Sequence, residues 1–145
     1  MNQFITAFST VFSDPMAFVL IFAGTVIGII FGCIPGLTAG MAIALFLPLT
    51  FRMDIIPSLT LLLALYIGGI SGGLISAILI KIPGTPASIA TVFDGGPMAD
   101  RGESWRALSV GIVFSFLGTL IGILILCCLA PVLGKFSLSL GMFEY

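Results

Sequence analysis

From Pro15 to Phe51 the chain carries no charged residue, yet this apolar run is cut once, at Ile34-Pro35-Gly36. Proline removes a backbone donor and glycine loosens the chain, so the pair should end a helix where the sequence still reads as buried in lipid. Unwound backbone at membrane depth survives only where protein or a water-filled cavity satisfies its amides. The break therefore restricts the fold more than the apolar run does.

Composition fixes the solvent. The chain of 145 residues is 59% hydrophobic and 8% charged, with a mean hydropathy of +1.31. A soluble domain carries about 25% charged residues. This much apolar surface needs a lipid bilayer, and within a bilayer helices satisfy their own backbone. The expected fold class is an all-α integral membrane protein: a polytopic helix bundle with Pro-Gly-interrupted transmembrane helices.

The same numbers exclude several functions. A net charge of −1 with five scattered Lys and Arg leaves no basic surface for nucleic acid. Absence of His from the sequence removes His-based metal sites and Ser-His catalysis. Cys33, Cys127 and Cys128 stand in apolar runs without metal-ligand spacing, as small lipid-facing or helix-facing residues. No Ser/Lys or paired-Asp arrangement lies in an apolar run. No catalytic residue, metal ligand or cofactor is expected, and the chain does not read as an enzyme.

The expected organisation is a single membrane domain over 1–145. Phe4, Ile5, Phe8, Val11 and Phe12 share one helical face, which predicts an interfacial helix over 3–12. Ser13-Asp14-Pro15 offers an N-cap and an N1 proline for the first membrane segment, about 15–34. Met16 to Ile34 would extend roughly 28 Å, just enough to cross the hydrocarbon. The second segment, 38–51, is too short to span comfortably at about 21 Å. Segments at 57–82 and 107–133 are longer. Between them a polar loop, 94–106, holds Arg101 and Arg106, which favours the cytoplasmic side. Within it, Asp94-Gly95-Gly96-Pro97 is first a turn signal.

Two internal echoes stand out. Phe22–Ile30 matches Phe116–Leu124 at six of nine positions, a pattern that shared packing chemistry explains as well as a repeat does. More telling, Ile34-Pro35-Gly36 returns as Ile82-Pro83-Gly84, each time with small residues upstream at four-residue spacing. Gly24, Gly28 and Gly32, like Gly118 and Gly122, suit close helix packing. Gly68, Gly69, Gly72 and Gly73 would weaken a helix by about 1 kcal/mol each relative to Ala, a cost that a closely approaching backbone would justify. Paired breaks in two apolar segments are the sequence pointer to a transporter site.

The chemistry follows from the breaks. A helix restarting at Leu37-Thr38 presents free N–H groups at the positive end of its dipole, a cradle for an anion such as a carboxylate. Thr85-Pro86-Ala87-Ser88 repeats the arrangement. Thr38, Thr85 and Ser88 offer hydroxyls either to a carboxylate or to their own helix as caps. Lys81 either neutralises a substrate carboxylate or reaches to the interface. The candidate binding residues are Pro35, Gly36, Leu37, Thr38, Lys81, Pro83, Gly84, Thr85 and Ser88.

The stretches GTVIGIIFGCIPGLTAGMAIALFLPLTF and YIGGISGGLISAILIKIPGTPASIATVFDGGPMADRGE closely resemble the large membrane subunit of tripartite tricarboxylate transporters, the TctA type. The resemblance implies a many-spanning, inverted-repeat permease of the bacterial inner membrane, a secondary transporter coupled to Na⁺ or H⁺. It implies uptake of tricarboxylates or related organic acids, with a small membrane subunit and a periplasmic solute-binding protein as partners. Family members are several times longer, so the chain is expected to be the N-terminal portion of such a permease. At Lys81 the family pattern leads one to expect a neutral polar residue, often Asn. The competing reading, a non-transporting structural or assembly subunit, explains the glycines but gives the two breaks and Lys81 no task.

Overall fold

A computed structural model describes residues 14–139, with side chains through Ala130. The expected interfacial helix at 3–12 lies outside the described residues. Five helices follow in order: α1 (Pro15–Cys33), α2 (Ala39–Thr50), α3 (Ile55–Leu79), α4 (Ile89–Asp100) and α5 (Ser104–Ser139). A single 3-10 turn, Pro86–Ser88, leads into α4. No strand occurs among the described residues. Over these residues α1, α3 and α5 are long and apolar enough to cross a membrane, while α2 is a shorter apolar helix. The chain is an all-α, multi-pass membrane protein.

It falls into two units, Met1–Leu108 and Ser109–Tyr145. The described part of the second is a stretch of α5, whose side chains Phe114, Phe116, Ile121 and Leu124 are exposed, as lipid-facing residues would be. Gly118 and Gly122 stand one turn apart on it.

The first unit is held by a seam of glycines. Asp14 caps α1, its Oδ1 accepting from the Met16 N–H at 2.9 Å, and Pro15 takes the first helical position. Along α1, Gly24, Gly28 and Gly32 are all buried. A methyl group on Gly24 would come within 2.8 Å of Ala64 Cβ; one on Gly28 would meet the Leu65 carbonyl and lie 3.0 Å from Gly68 Cα. One on Gly32 would run into the Gly69 carbonyl. Contacts advance together along both helices, so α1 and α3 run parallel with their backbones touching. The glycines expected to admit a second backbone do so, and that is the form of attraction available to helices surrounded by lipid.

Helix α2 runs the other way. Its first residue, Ala39, sits on Gly69, where a methyl group would lie 2.8 Å from Ala39 Cα. Its last, Thr50, accepts through its carbonyl a hydrogen bond from Ser58 Oγ at 3.1 Å, near the start of α3. Leu20, Ala42, Leu61 and Leu65 form the buried cluster among these three helices, with Phe31 and Phe46 packed against it. The chain thus descends along α1, turns at the level of Gly69–Gly72, and returns on α2 to the side from which it came.

The stretch 94–106 differs from the polar loop expected. α4 continues through Asp94-Gly95-Gly96-Pro97 to Asp100, leaving Arg101-Gly102-Glu103 as the whole connection to α5. Packing overrides local propensity here. Gly95 lies against Ile78, whose Cγ1 would be 2.7 Å from an added methyl, and Gly96 lies against the stem of Lys81. α4 then closes as a Schellman motif, with Gly102 at φ +80° and the Glu103 N–H donating to the Met98 carbonyl at 2.9 Å.

The seam makes a clear prediction. Gly28→Ala should cost on the order of 1–3 kcal/mol, because the colliding atoms are backbone and cannot rotate away. Gly40→Ala, where the nearest atom outside the helix backbone would be Thr38 Oγ1 at 3.6 Å, should be neutral or gain up to about 1 kcal/mol. Thermal unfolding of the two purified variants in detergent measures the difference.

Candidate functional site

The two Ile-Pro-Gly breaks are built differently. At the first, the Leu37 N–H donates to the Ile34 carbonyl at 3.1 Å and Gly36 has φ +92°. This is a type II turn, with proline at its second position and glycine at its third, where positive φ is required. Thr38 follows in an extended conformation and caps α2, its Oγ1 accepting from the Met41 N–H at 3.3 Å. The threonine hydroxyl keeps its own proton to donate. The N–H groups of Ala39 and Gly40 have no acceptor within the helix, and Gly40 is exposed.

At the second break the positive φ belongs to Lys81, at +61°, just past the end of α3. Gly84 is needed instead because no Cβ fits. A methyl group there would lie 2.8 Å from Ser76 Oγ and 2.9 Å from Gly73 Cα, and would strike the Gly32 carbonyl. Thr85 and Ser88 are buried at 7% and 4% exposure. Their polar groups close on each other: Ser88 Oγ donates to the Thr85 carbonyl at 2.8 Å and accepts from the Thr85 N–H at 3.2 Å. The Ser88 proton is committed to its own turn. Thr85 packs over Gly73, where an added methyl would be 2.9 Å from its Oγ1.

These contacts bring the breaks together. Ala39 rests on Gly69 and Thr85 on Gly73, one helical turn apart on α3, and Gly32, in the last turn before the first break, meets Gly84 of the second. Gly69–Gly73 stands roughly 9–15 Å short of the C-terminal end of α3, inside its apolar span. One broken element reaches this level from the side where α1 begins and returns as α2. The other reaches it from the end of α3 and returns as α4. Gly84, Thr85 and Ser88 are buried, Leu37 and Thr38 are half-buried, and Pro35, Gly36 and Pro83 are exposed.

Lys81 stands apart at the end of α3. Its stem crosses Gly96, and its Nζ donates to both carboxylate oxygens of Asp100 on α4, at 2.7 and 2.6 Å. Both side chains are about half exposed, at 48% and 62%. An ion pair this open contributes up to about 1 kcal/mol, whereas left-handed backbone costs a side-chain-bearing residue roughly 1–2 kcal/mol. The pair offsets only part of that cost; packing of the stem on Gly96 and burial of Gly84, Thr85 and Ser88 supply the rest. Sequence reasoning assigned Asp100 no role. Its one signal was placement four residues after Gly96, on the same face of α4.

A long helix notched by glycines, with two helix breaks folded into the notch from opposite sides, defines a multi-pass membrane protein with discontinuous helices. Residues 18–145 match the model of the tripartite tricarboxylate transporter TctA family, and the chain belongs to that family. It is also 38% identical over 103 residues to an uncharacterized 52.8 kDa protein in the TAR-I ttuC' 3' region of Agrobacterium vitis. That alignment covers 71% of this chain and 20% of the relative, so the chain spans about a fifth of the relative's length. No solved structure matches it significantly.

The two glycines of the repeated tripeptide should answer substitution differently. Gly36→Ala should cost about 1–2 kcal/mol through its positive φ, and Gly36→Asn less, since Asn tolerates that region. At Gly84 the order should reverse, with Asn worse than Ala, because volume is what the site refuses. Unfolding temperatures of the four variants test the assignment.

Proposed function

We propose that the chain forms part of a permease subunit that takes up tricarboxylates or related organic acids, with the carboxylate bound where the two breaks meet. The observation that carries this reading is the convergence itself. The N-terminus of α2 at Thr38 and the buried 3-10 turn at Thr85 rest one turn apart on the α3 notch, and free amides at a helix N-terminus favour negative charge without a buried cation. Thr38 is the hydroxyl best placed to donate, because its cap uses only its lone pair. Pro35, Gly36 and Leu37 set the entry to α2, while Pro83, Gly84 and Ser88 shape the second tip. Family membership adds the expectation of a small membrane subunit and a periplasmic binding protein, of coupling to Na⁺ or H⁺, and of residence in the bacterial inner membrane.

The test is uptake of radiolabelled citrate and related carboxylates by cells carrying the complete transporter. Thr38→Val should raise the apparent KM about tenfold, as expected for loss of a hydrogen bond to a charged group, with membrane abundance unchanged. Thr85→Val should raise it less, because the Thr85 hydroxyl already donates to Ser88 Oγ at 3.4 Å. Equal losses of uptake and abundance would instead favour a packing role and a non-transporting subunit.

A further inference from the structure

We infer that Lys81 and Asp100 are a positioning pair: Asp100 holds Lys81 in its left-handed conformation, and Lys81 in turn folds Ile82–Thr85 back onto the α3 notch. The inference rests on the proposed carboxylate site only for its consequence in transport; the positioning itself is a matter of geometry.

Three observations carry it. Lys81 is the non-glycine residue at positive φ among those described, and it stands where the chain leaves α3 and reverses toward Gly73. Lysine has no intrinsic preference for that conformation, so something outside the local backbone must hold it. The partner is on the page. Nζ meets both oxygens of Asp100, and the stem carrying it lies along Gly96, with Cγ 3.3 Å and Cδ 3.6 Å from where a Cβ would stand. The pair also bridges the two ends of one loop of chain. Lys81 begins the excursion to the notch, and Asp100 closes α4, the helix on which the chain returns. Fixing these two points fixes how deep the intervening tip can sit.

This assigns Lys81 a different task from contact with substrate. Its charge is spent on Asp100, and it stands just past the end of α3 rather than in the notch where Thr85 is buried. The tip in turn covers Ser76, which is 1% exposed and would lie 2.8 Å from a methyl group on Gly84. Lifting the tip uncovers Ser76, and that can be read without any transport assay.

The experiment uses Ser76→Cys in a complete transporter from which Cys33, Cys127, Cys128 and any cysteine outside these 145 residues have been removed, with labelling of the thiol at 76 by a small water-soluble maleimide. Asp100→Asn and Lys81→Gln, each added to it, should raise the labelling rate about fivefold, the population change expected when an exposed ion pair is lost. The swap Lys81→Asp with Asp100→Lys should return it close to the starting rate, since Asp also tolerates the left-handed region. Unchanged labelling in the single variants overturns the inference, as does a rise that the swap fails to reverse. In the native-cysteine background the apparent KM for carboxylate uptake should rise in each single variant and recover in the swap. A direct substrate contact by Lys81 predicts the opposite, because the swap would set a carboxylate beside an anion; a KM that stays raised in the swap overturns the positioning role. Should no carboxylate be taken up at all, the functional reading fails while the labelling result still decides the geometry.

Discussion

Contact between two backbones, α1 against α3, is what every other part of the first unit depends on. In lipid, apolar side chains gain little by meeting each other, so helices associate through close packing and through what close packing exposes to hydrogen bonding. Here Gly24, Gly28 and Gly32 let α1 approach until its atoms touch the α3 main chain. That approach sets the register, and the register sets the level of Cys33 beside Gly72. Where α1 ends, α2 must begin, and Ala39 takes the next place on the notch, at Gly69. The two breaks meet at the level of Gly69–Gly73 because the seam runs that far and no farther.

The second break depends on the same surface but is secured from outside. Gly73 gives Thr85 room, Gly84 fits between Ser76 and Gly32, and Ser88 closes the turn by hydrogen bonding to Thr85. None of this fixes the direction from which the chain arrives. The left-handed residue at 81 does, and its side chain lies along the helix that completes the loop. A neutral Asn, which the family resemblance leads one to expect at this position, suits left-handed backbone by itself. Lysine needs a partner to hold it there, and Asp100 is placed to be that partner.

Much of this was legible in the sequence because it was local. Asp14-Pro15 announced the start of α1, Pro35-Gly36 its end, and four-residue glycine spacing the faces that meet. What escaped was whatever depended on a neighbour distant in sequence. Ile-Pro-Gly reads identically at both breaks, but Gly36 answers to its own φ whereas Gly84 answers to the Gly32 carbonyl across the interface. Asp94-Gly95-Gly96-Pro97 has the composition of a turn and is helical, because its glycines face Ile78 and Lys81. Lys81 could be flagged as a charge in need of a partner, and a separation of nineteen positions hid which one it was. Of the two tasks the sequence allowed the hydroxyls, capping is the one Ser88 performs within its own turn.

The hairpin formed by α1 and α2 has a bearing on how such a chain is mapped. Two full crossings and one half-depth excursion both return to their starting side, so Arg52 and Asp54 emerge in the same compartment either way. Tags or proteases directed at the connecting loops therefore score the two architectures alike. Only a probe that reports depth, placed at Pro35 or Gly36 where the chain reverses, distinguishes a turn inside the apolar layer from one at its far face.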